Sequence, residues 1–268
     1  MSKQKNTCKQ KNTTKRLGRI ICLSNHKGGV AKTCSAVNIG AGLSRLDKRC
    51  LLIDLDPQAN LSLSLGVKNI QQSIYGALKG EYNLKSALVT INENLDLVPS
   101  SVDLAAAEIE LNTEAGREVL LKELISPIKN QYDYIILDCP PSLGLLTINA
   151  LTASEKVFIP LQAQYLAMQG LSELTGIVDK IKSRLNKKLS IGGVIITQYD
   201  QRKILNRDVA KTIRSHFKDK VFKTEIRDNV ALAESPCSGM DIFRYNPKSF
   251  GAKDYLALCK EIILSTEK

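Results

Sequence analysis

Two lysines, two adjacent glycines and a threonine lie close together in Asn25-His26-Lys27-Gly28-Gly29-Val30-Ala31-Lys32-Thr33. These residue types suit a polyphosphate. Glycines let backbone N–H groups approach an anion and point at it. Lys32 places an ammonium within reach of β- and γ-phosphates, and the Thr33 hydroxyl can bind Mg²⁺. The ordinary phosphate-loop spacing, G-x-x-x-x-G-K-[ST], is not met, because His26 and Ala31 occupy its glycine places. The chain carries instead a variant with a second cation, Lys27, at the front of the loop.

Carboxylates recur in a matching position. Cys50-Leu51-Leu52-Ile53 is a continuous apolar run that ends in Asp54-Leu55-Asp56 and is stopped by Pro57. Tyr132-Asp133-Tyr134-Ile135-Ile136-Leu137 ends in Asp138 and is broken by Pro140 and Pro141. Unbroken apolar runs of this length predict strands buried on both faces, as in a parallel sheet. Acids at the C-terminal ends of such strands border the crevice where α/β proteins bind ligands. Asp138 is positioned like the acid that holds Mg²⁺ in phosphate-loop enzymes.

The elements needed to position these groups are legible around them. Arg19–Leu23 predicts a strand entering the loop, and Ala36, Val37, Ile39, Gly40 and Leu43 predict the apolar face of a helix leaving it. Residues 60–93 predict only short helices and loops. Strands are expected at 95–99, 156–160, 191–197 and 221–224, and helices near 103–110, 113–130, 168–188, 205–217 and 250–264. Strands alternating with helices indicate an α/β fold, a single domain with a mostly parallel, doubly wound sheet flanked by helices over 19–268.

Composition narrows the function. The chain has 268 residues, 43% of them hydrophobic and 24% charged, which fits a soluble globular protein. No apolar run approaches a membrane span and the N-terminus lacks a secretory signal, so a cytoplasmic location is expected. Seven scattered cysteines include no C-x-x-C pair, which argues against zinc and disulfide frameworks. The formal net charge is +11, which favours an anionic partner such as nucleic acid. Residues 1–18 hold six cations and no acid and are expected to form a flexible basic tail. Between Lys180 and Lys223 bases greatly outnumber acids. Arg202, Lys203, Lys211, Arg214 and Lys218 are the candidate contacts to DNA phosphates.

Taken with Leu52-Ile53-Asp54-Leu55-Asp56-Pro57-Gln58-Ala59-Asn60, Tyr134–Thr147, Asn229–Pro236 and Tyr245–Ser249, the loop resembles that of the ParA/Soj family of partition ATPases. These belong to the deviant Walker A class that also contains MinD, and the likeness covers about residues 19–264. The resemblance implies ATP and Mg²⁺ as cofactors, an ATP-dependent homodimer, non-specific DNA binding and hydrolysis stimulated by a ParB-type partner. It implies a nucleoid-associated protein with no stable membrane association. Lys27, Gly28, Gly29, Val30, Ala31, Lys32, Thr33 and Cys34 would bind the nucleotide. Lys27 would reach the other subunit's phosphates, Lys32 would hold those of its own subunit, and Asp56 would orient the attacking water. Thr33, Asp54 and Asp138 would surround the metal.

Four departures accompany the likeness. Family members usually have glycine at Ala31, threonine at Cys34, arginine at Ala231 and proline-arginine at Arg227-Asp228. Ala31 would be strained if its φ is positive. Three alternatives stay open on sequence alone. One is a MinD-like membrane-positioning ATPase, which would need a basic amphipathic C-terminal helix. Another is a weakly catalytic nucleotide-dependent scaffold. The third is an iron–sulfur reductase that shares the loop, for which Cys139 has no convincing second ligand.

Overall fold

A computed structural model describes residue 16, residues 18–164 and residues 167–266, the side chains of 167–170 excepted. The expected basic tail lies outside the described residues except for Arg16 and Gly18. In chain order the elements are β1 (Arg19–Leu23), α1 (Lys32–Arg45), β2 (Cys50–Asp54), α2 (Asn60–Ser64), α3 (Ile74–Leu78), β3 (Val89–Asn92), β4 (Leu95–Val98) and α4 (Leu104–Glu110). There follow α5 (Leu120–Ile125), β5 (Tyr134–Asp138), α6 (Leu145–Ala153), β6 (Lys156–Gln162), α7 (Ala167–Arg184) and β7 (Ser190–Thr197). Helices α8 (Ile204–Phe217), α9 (Val230–Glu234), α10 (Ile242–Tyr245) and α11 (Phe250–Thr266) complete the chain.

The strands form one sheet in the order β3-β4-β2-β5-β1-β6-β7, parallel except where β3 meets β4. Every residue of β2 and β5 is buried, because helices cover both faces. Alternate side chains go to opposite sides. Ile20, Cys22, Leu51, Ile53, Ile135 and Leu137 pack with α3–α8. Ile21, Leu23, Cys50, Leu52, Tyr134 and Ile136 pack with α1, α10 and α11. Helix α1 lies close on the sheet at Gly40, where a Cβ would come within 2.6 Å of Leu52 Cδ2.

The register sets up the site. Leu23 and Asp54 both pair with Asp138. The loop after β1 and the acids ending β2 and β5 are therefore side by side at the C-terminal edge of the sheet. The chain runs outward from β1 in one direction through β2 and β4 and later in the other through β6 and β7. That reversal leaves the crevice in which doubly wound folds hold ligands.

Some local expectations are corrected. The helix expected near 113–130 is confined to α5, because Gly116 adopts φ +73° and Pro127 follows the helix closely. Residues 221–224 form no strand of their own. Val221 makes a single parallel bridge to Val194, and the N–H groups of Phe222 and Ile226 donate to the carbonyls of Val194 and Ile196 (3.0 and 2.8 Å). Residues 221–227 thus run along the outer side of β7. β3 and α6 are additional to the expected elements. No helix of the described residues is long and apolar enough to cross a membrane. The apolar stripe of α11, with Tyr255, Leu258, Cys259 and Ile262, is fully buried in the core beside α1.

Candidate active site

Residues 24–31 cross the C-terminal edge of the sheet between β1 and α1, and neighbouring strands pin them. Asn25 Oδ1 accepts from the Lys27 N–H (3.0 Å), and Asn25 Nδ2 donates to the Pro160 carbonyl (2.8 Å). Gln162 and Gln198 each donate Nε2 to the Gly29 carbonyl (2.9 and 3.2 Å), and Thr197 Oγ1 donates to that of Val30 (3.1 Å). Sequence reasoning does not single out Gln162 or Thr197. Their one signal is a polar residue closing an otherwise apolar strand.

Gly29 has φ +75°, and a Cβ built there would meet no atom within 4 Å. Conformation rather than space asks for glycine at this point, and the loop leaves an open cradle. Ala31, immediately before α1, is left-handed with φ 64° and ψ 35°. The methyl group therefore sits on backbone that L-residues other than glycine rarely adopt.

Lys32 is 7% exposed, and its Nζ donates to the Lys27 carbonyl at 3.2 Å. Burial lowers its pKa, opposed by Asp138, Cys139 and Asp56. The Lys27 ammonium instead donates to Gln164 Oε1 at the surface (3.2 Å). Cys34 lies against the Tyr255 hydroxyl and Asn38 Nδ2 (3.7 and 3.4 Å), and burial pushes its thiol pKa up.

The three acids differ in their surroundings. Asp138 is wholly buried, and among the described residues neither carboxylate oxygen has a hydrogen-bonding partner at normal geometry. Burial drives its pKa well up, reinforced by the charge of Asp54 and opposed by the neighbouring Thr33 hydroxyl and Lys32. Asp54 is equally buried but fully engaged. Its Oδ1 accepts from the Asp56 N–H (3.2 Å), and its Oδ2 accepts from the N–H and hydroxyl of Ser62 (2.9 and 2.7 Å). Burial raises its pKa to about 6 against the pull of those bonds. Asp56 is 8% exposed on the wall of the cavity, with Oδ1 accepting from the Gln58 N–H (3.0 Å).

The cavity measures about 760 Å³. Gly28, Gly29, Lys32, Thr33 and Asp56 line it, together with Gln198, Arg227, Asp228 and Asn229. Such a volume suits a small organic ligand. An orphaned buried carboxylate beside a threonine hydroxyl is a hard oxygen donor set suited to Mg²⁺. A bound dication would also reverse the upward shift at Asp138. At Arg227, the guanidinium is held by both oxygens of Asp254 and stacks 4.1 Å from the Phe250 ring.

The basic candidates lie on α8 and in the turns that flank it. Lys203 just before α8, Lys211 on it and Lys218 just after it are exposed, and within the helix Arg207, Lys211 and Arg214 recur every three or four residues, on one side. Arg202 is 86% exposed and is gripped by Asp200 through two bonds, Nε to Oδ1 (3.0 Å) and Nη2 to Oδ2 (2.9 Å). Arg214 turns inward to the carbonyls of Phe222 and Lys223 and to Glu225.

Comparison with known proteins agrees with this geometry. A sequence profile described as an AAA domain matches residues 18–191. The sporulation initiation inhibitor protein Soj of Bacillus subtilis (strain 168) is 47% identical over 249 residues, covering 92% of this chain and 98% of Soj. The chromosome partitioning protein ParA of Myxococcus xanthus (strain DK1622) is 44% identical, covering 92% and 88%. Among solved structures, cobyrinic acid a,c-diamide synthase from Mycobacterium smegmatis with bound ADP and magnesium superposes with a TM-score of 0.82. It is 33% identical, covering 93% of this chain and 96% of its own. The cell division ATPase MinD of Pyrococcus furiosus gives 0.77 at 26% identity, covering 91% and 98%. The synthase and MinD share the architecture, but the near full-length identity lies with Soj and ParA, and on that ground the chain belongs to the ParA/Soj family of chromosome-partition ATPases.

Proposed function

We propose that this partition ATPase binds ATP with Mg²⁺ in the 760 Å³ cavity, dimerises around the nucleotide, and holds DNA non-specifically until a ParB-type partner stimulates hydrolysis. The observation that carries the reading is the unpartnered, buried carboxylate of Asp138 beside Thr33 and Lys32 at the open glycine cradle. Thr33 and Asp138 would hold Mg²⁺, which when bound neutralises charge on the phosphoryl oxygens. Gly28, Gly29, Val30 and Ala31 offer backbone N–H groups to the phosphates, and Cys34 closes the cradle at the start of α1. Lys32 neutralises charge within the subunit. Asp56 faces the cavity and orients a water for attack at the γ-phosphorus, which breaks the bond to the β-phosphate oxygen.

Lys27 acts from the opposite subunit. Its ammonium bonds Gln164 at the surface, an exposed contact that a facing copy's phosphates can replace. Such a cation stabilises the transferring group as an arginine finger does. Arg202, Lys203, Lys211 and Lys218 contact DNA phosphates and confer nucleoid association.

The experiment pairs gel filtration with phosphate release for Lys27→Ala and Asp56→Ala. Lys27→Ala should bind ATP but lose hydrolysis. Asp56→Ala should accumulate as an ATP-bound dimer on DNA. Wild-type turnover by Lys27→Ala would refute the trans lysine, and an Asp56→Ala protein that stays monomeric with ATP would refute the role of Asp56.

A further inference from the structure

We infer that Ser62 is a positioning residue for ATP hydrolysis, because with Asp54 it closes the segment carrying Asp56 into a fixed loop. The inference rests on the reading of Asp56 as the water-orienting group. It also gives Asp54 a role other than metal ligand.

Three donors converge on Asp54: the Asp56 N–H from the turn that follows, and both the N–H and the hydroxyl of Ser62 on α2. The Ser62 hydroxyl in turn accepts from the Ser100 N–H (3.1 Å) at the end of β4. Ser62 and Ser100 are both wholly buried. Residues 54–62 are therefore tied at both ends, to the floor of the sheet through Asp54 and to the neighbouring strand through Ser62. A metal seeking Asp54 would compete with three hydrogen bonds, whereas among the described residues no hydrogen bond of normal geometry reaches either oxygen of Asp138.

The closure bears on Asp56 for a second reason. Ala59, within the loop, has φ 52° and ψ 28°, a left-handed conformation that an alanine rarely adopts. Such strain persists where the surroundings over-determine the backbone. Ser62 supplies that constraint three residues after Ala59. Without its hydroxyl, Asp54 loses a donor and the Ser100 N–H loses its acceptor. Ala59 is then free to relax and carry Asp56 with it. An acid that must orient a water is sensitive to such displacement, since misplacement by about 1 Å can cost on the order of a hundredfold in rate.

The test compares two serines on the same short helix. Ser64 also donates its hydroxyl to a backbone carbonyl, that of Asn60 (2.6 Å), but does not reach Asp54. Ser62→Ala should lower kcat for ATP by about ten- to a hundredfold with KM for ATP unchanged. Ser64→Ala should keep kcat near wild type. Ser62→Thr, which retains the hydroxyl, should restore turnover, and Ser62→Cys, which keeps volume but donates weakly, should fall between and serves if the alanine protein does not fold. Wild-type kcat in Ser62→Ala, or an equal loss in Ser62→Ala and Ser64→Ala, would overturn the inference. Asp56→Ala measured alongside separates the two readings. If it hydrolyses ATP normally the water-orienting role fails, whereas if it is inactive while Ser62→Ala is normal only the positioning role fails.

Discussion

Ala31 is left-handed at a position where the ParA/Soj family usually has glycine. Its methyl group costs the folded state on the order of 1–2 kcal/mol. Glycine would return part of that through a more flexible unfolded chain, roughly 0.5–1 kcal/mol. Ala31→Gly should therefore stabilise the protein by about 0.5–1 kcal/mol, which raises the thermal midpoint by roughly 1–4 °C. Differential scanning calorimetry of the nucleotide-free protein decides this, and an unchanged or lower midpoint would show that the surrounding hydrogen bonds already absorb the strain. Gln198 and Ala59 are left-handed as well, at φ 50° and 52°. Three of the five positive-φ non-glycine residues among those described, the others being Asp47 and Lys218, thus lie in the loops that carry the site.

At the scale of elements, α8 and the turn before it form the basic surface. Asp200 restrains that surface. The Arg202 guanidinium holds its carboxyl pKa down at about 2. A carboxyl with a depressed pKa stays ionised until the pH falls to that value, so acidification from pH 7 to pH 4 does not release Arg202. Removing the carboxylate charge does. Asp200→Asn should tighten DNA binding several-fold, and Arg202→Glu should weaken it while leaving ATP-dependent dimerisation intact. Filter binding at fixed salt tests both, and weaker binding by Asp200→Asn would count against Arg202 as a phosphate contact.

Much of this layer was legible in the sequence. The apolar runs before Asp54 and Asp138 fixed two central strands, because strands buried on both faces must be continuously apolar. The lysine-glycine-glycine stretch between a strand and a helix located the cradle. What pins that cradle was not legible, since Gln162 and Thr197 are 130 or more residues away in sequence and meet it only through the order of β1, β6 and β7. The engagement of Asp54 was hidden for a similar reason. Spacing places two acids at a strand end, but only the fold shows that Ser62 saturates one and leaves Asp138 open. The helix expected across 113–130 gave way to Gly116, whose positive φ outweighs the helical pattern around it.

For the whole molecule, the net charge of +11 and the one-sided cations on α8 predict binding dominated by counterion release. Affinity should fall steeply with salt and be insensitive to sequence. A dimer presents two such faces to one duplex, so ATP should raise affinity by avidity more than any change of DNA sequence does. Binding to two unrelated duplexes across a salt series, with and without ATP, tests this. Equal affinity in both nucleotide states would overturn the dimer-based account.

The segment 221–227 along β7 has a further consequence, for colloidal behaviour. A parallel sheet that ended at a bare β7 would present unpaired N–H and C=O groups, a template for amyloid-like stacking of one molecule on the next. Residues 221–227 blunt that template by donating to the carbonyls of Val194 and Ile196, and Arg214 secures them through Phe222, Lys223 and Glu225. Arg214→Ala should leave the cavity intact yet make the protein prone to form thioflavin-positive aggregates on mild warming, whereas Lys211→Ala, with its exposed side chain, should remain dispersed under the same light-scattering assay. Equal dispersion of the two variants would show that the apolar contacts of Val221 and Phe222 alone keep the edge covered.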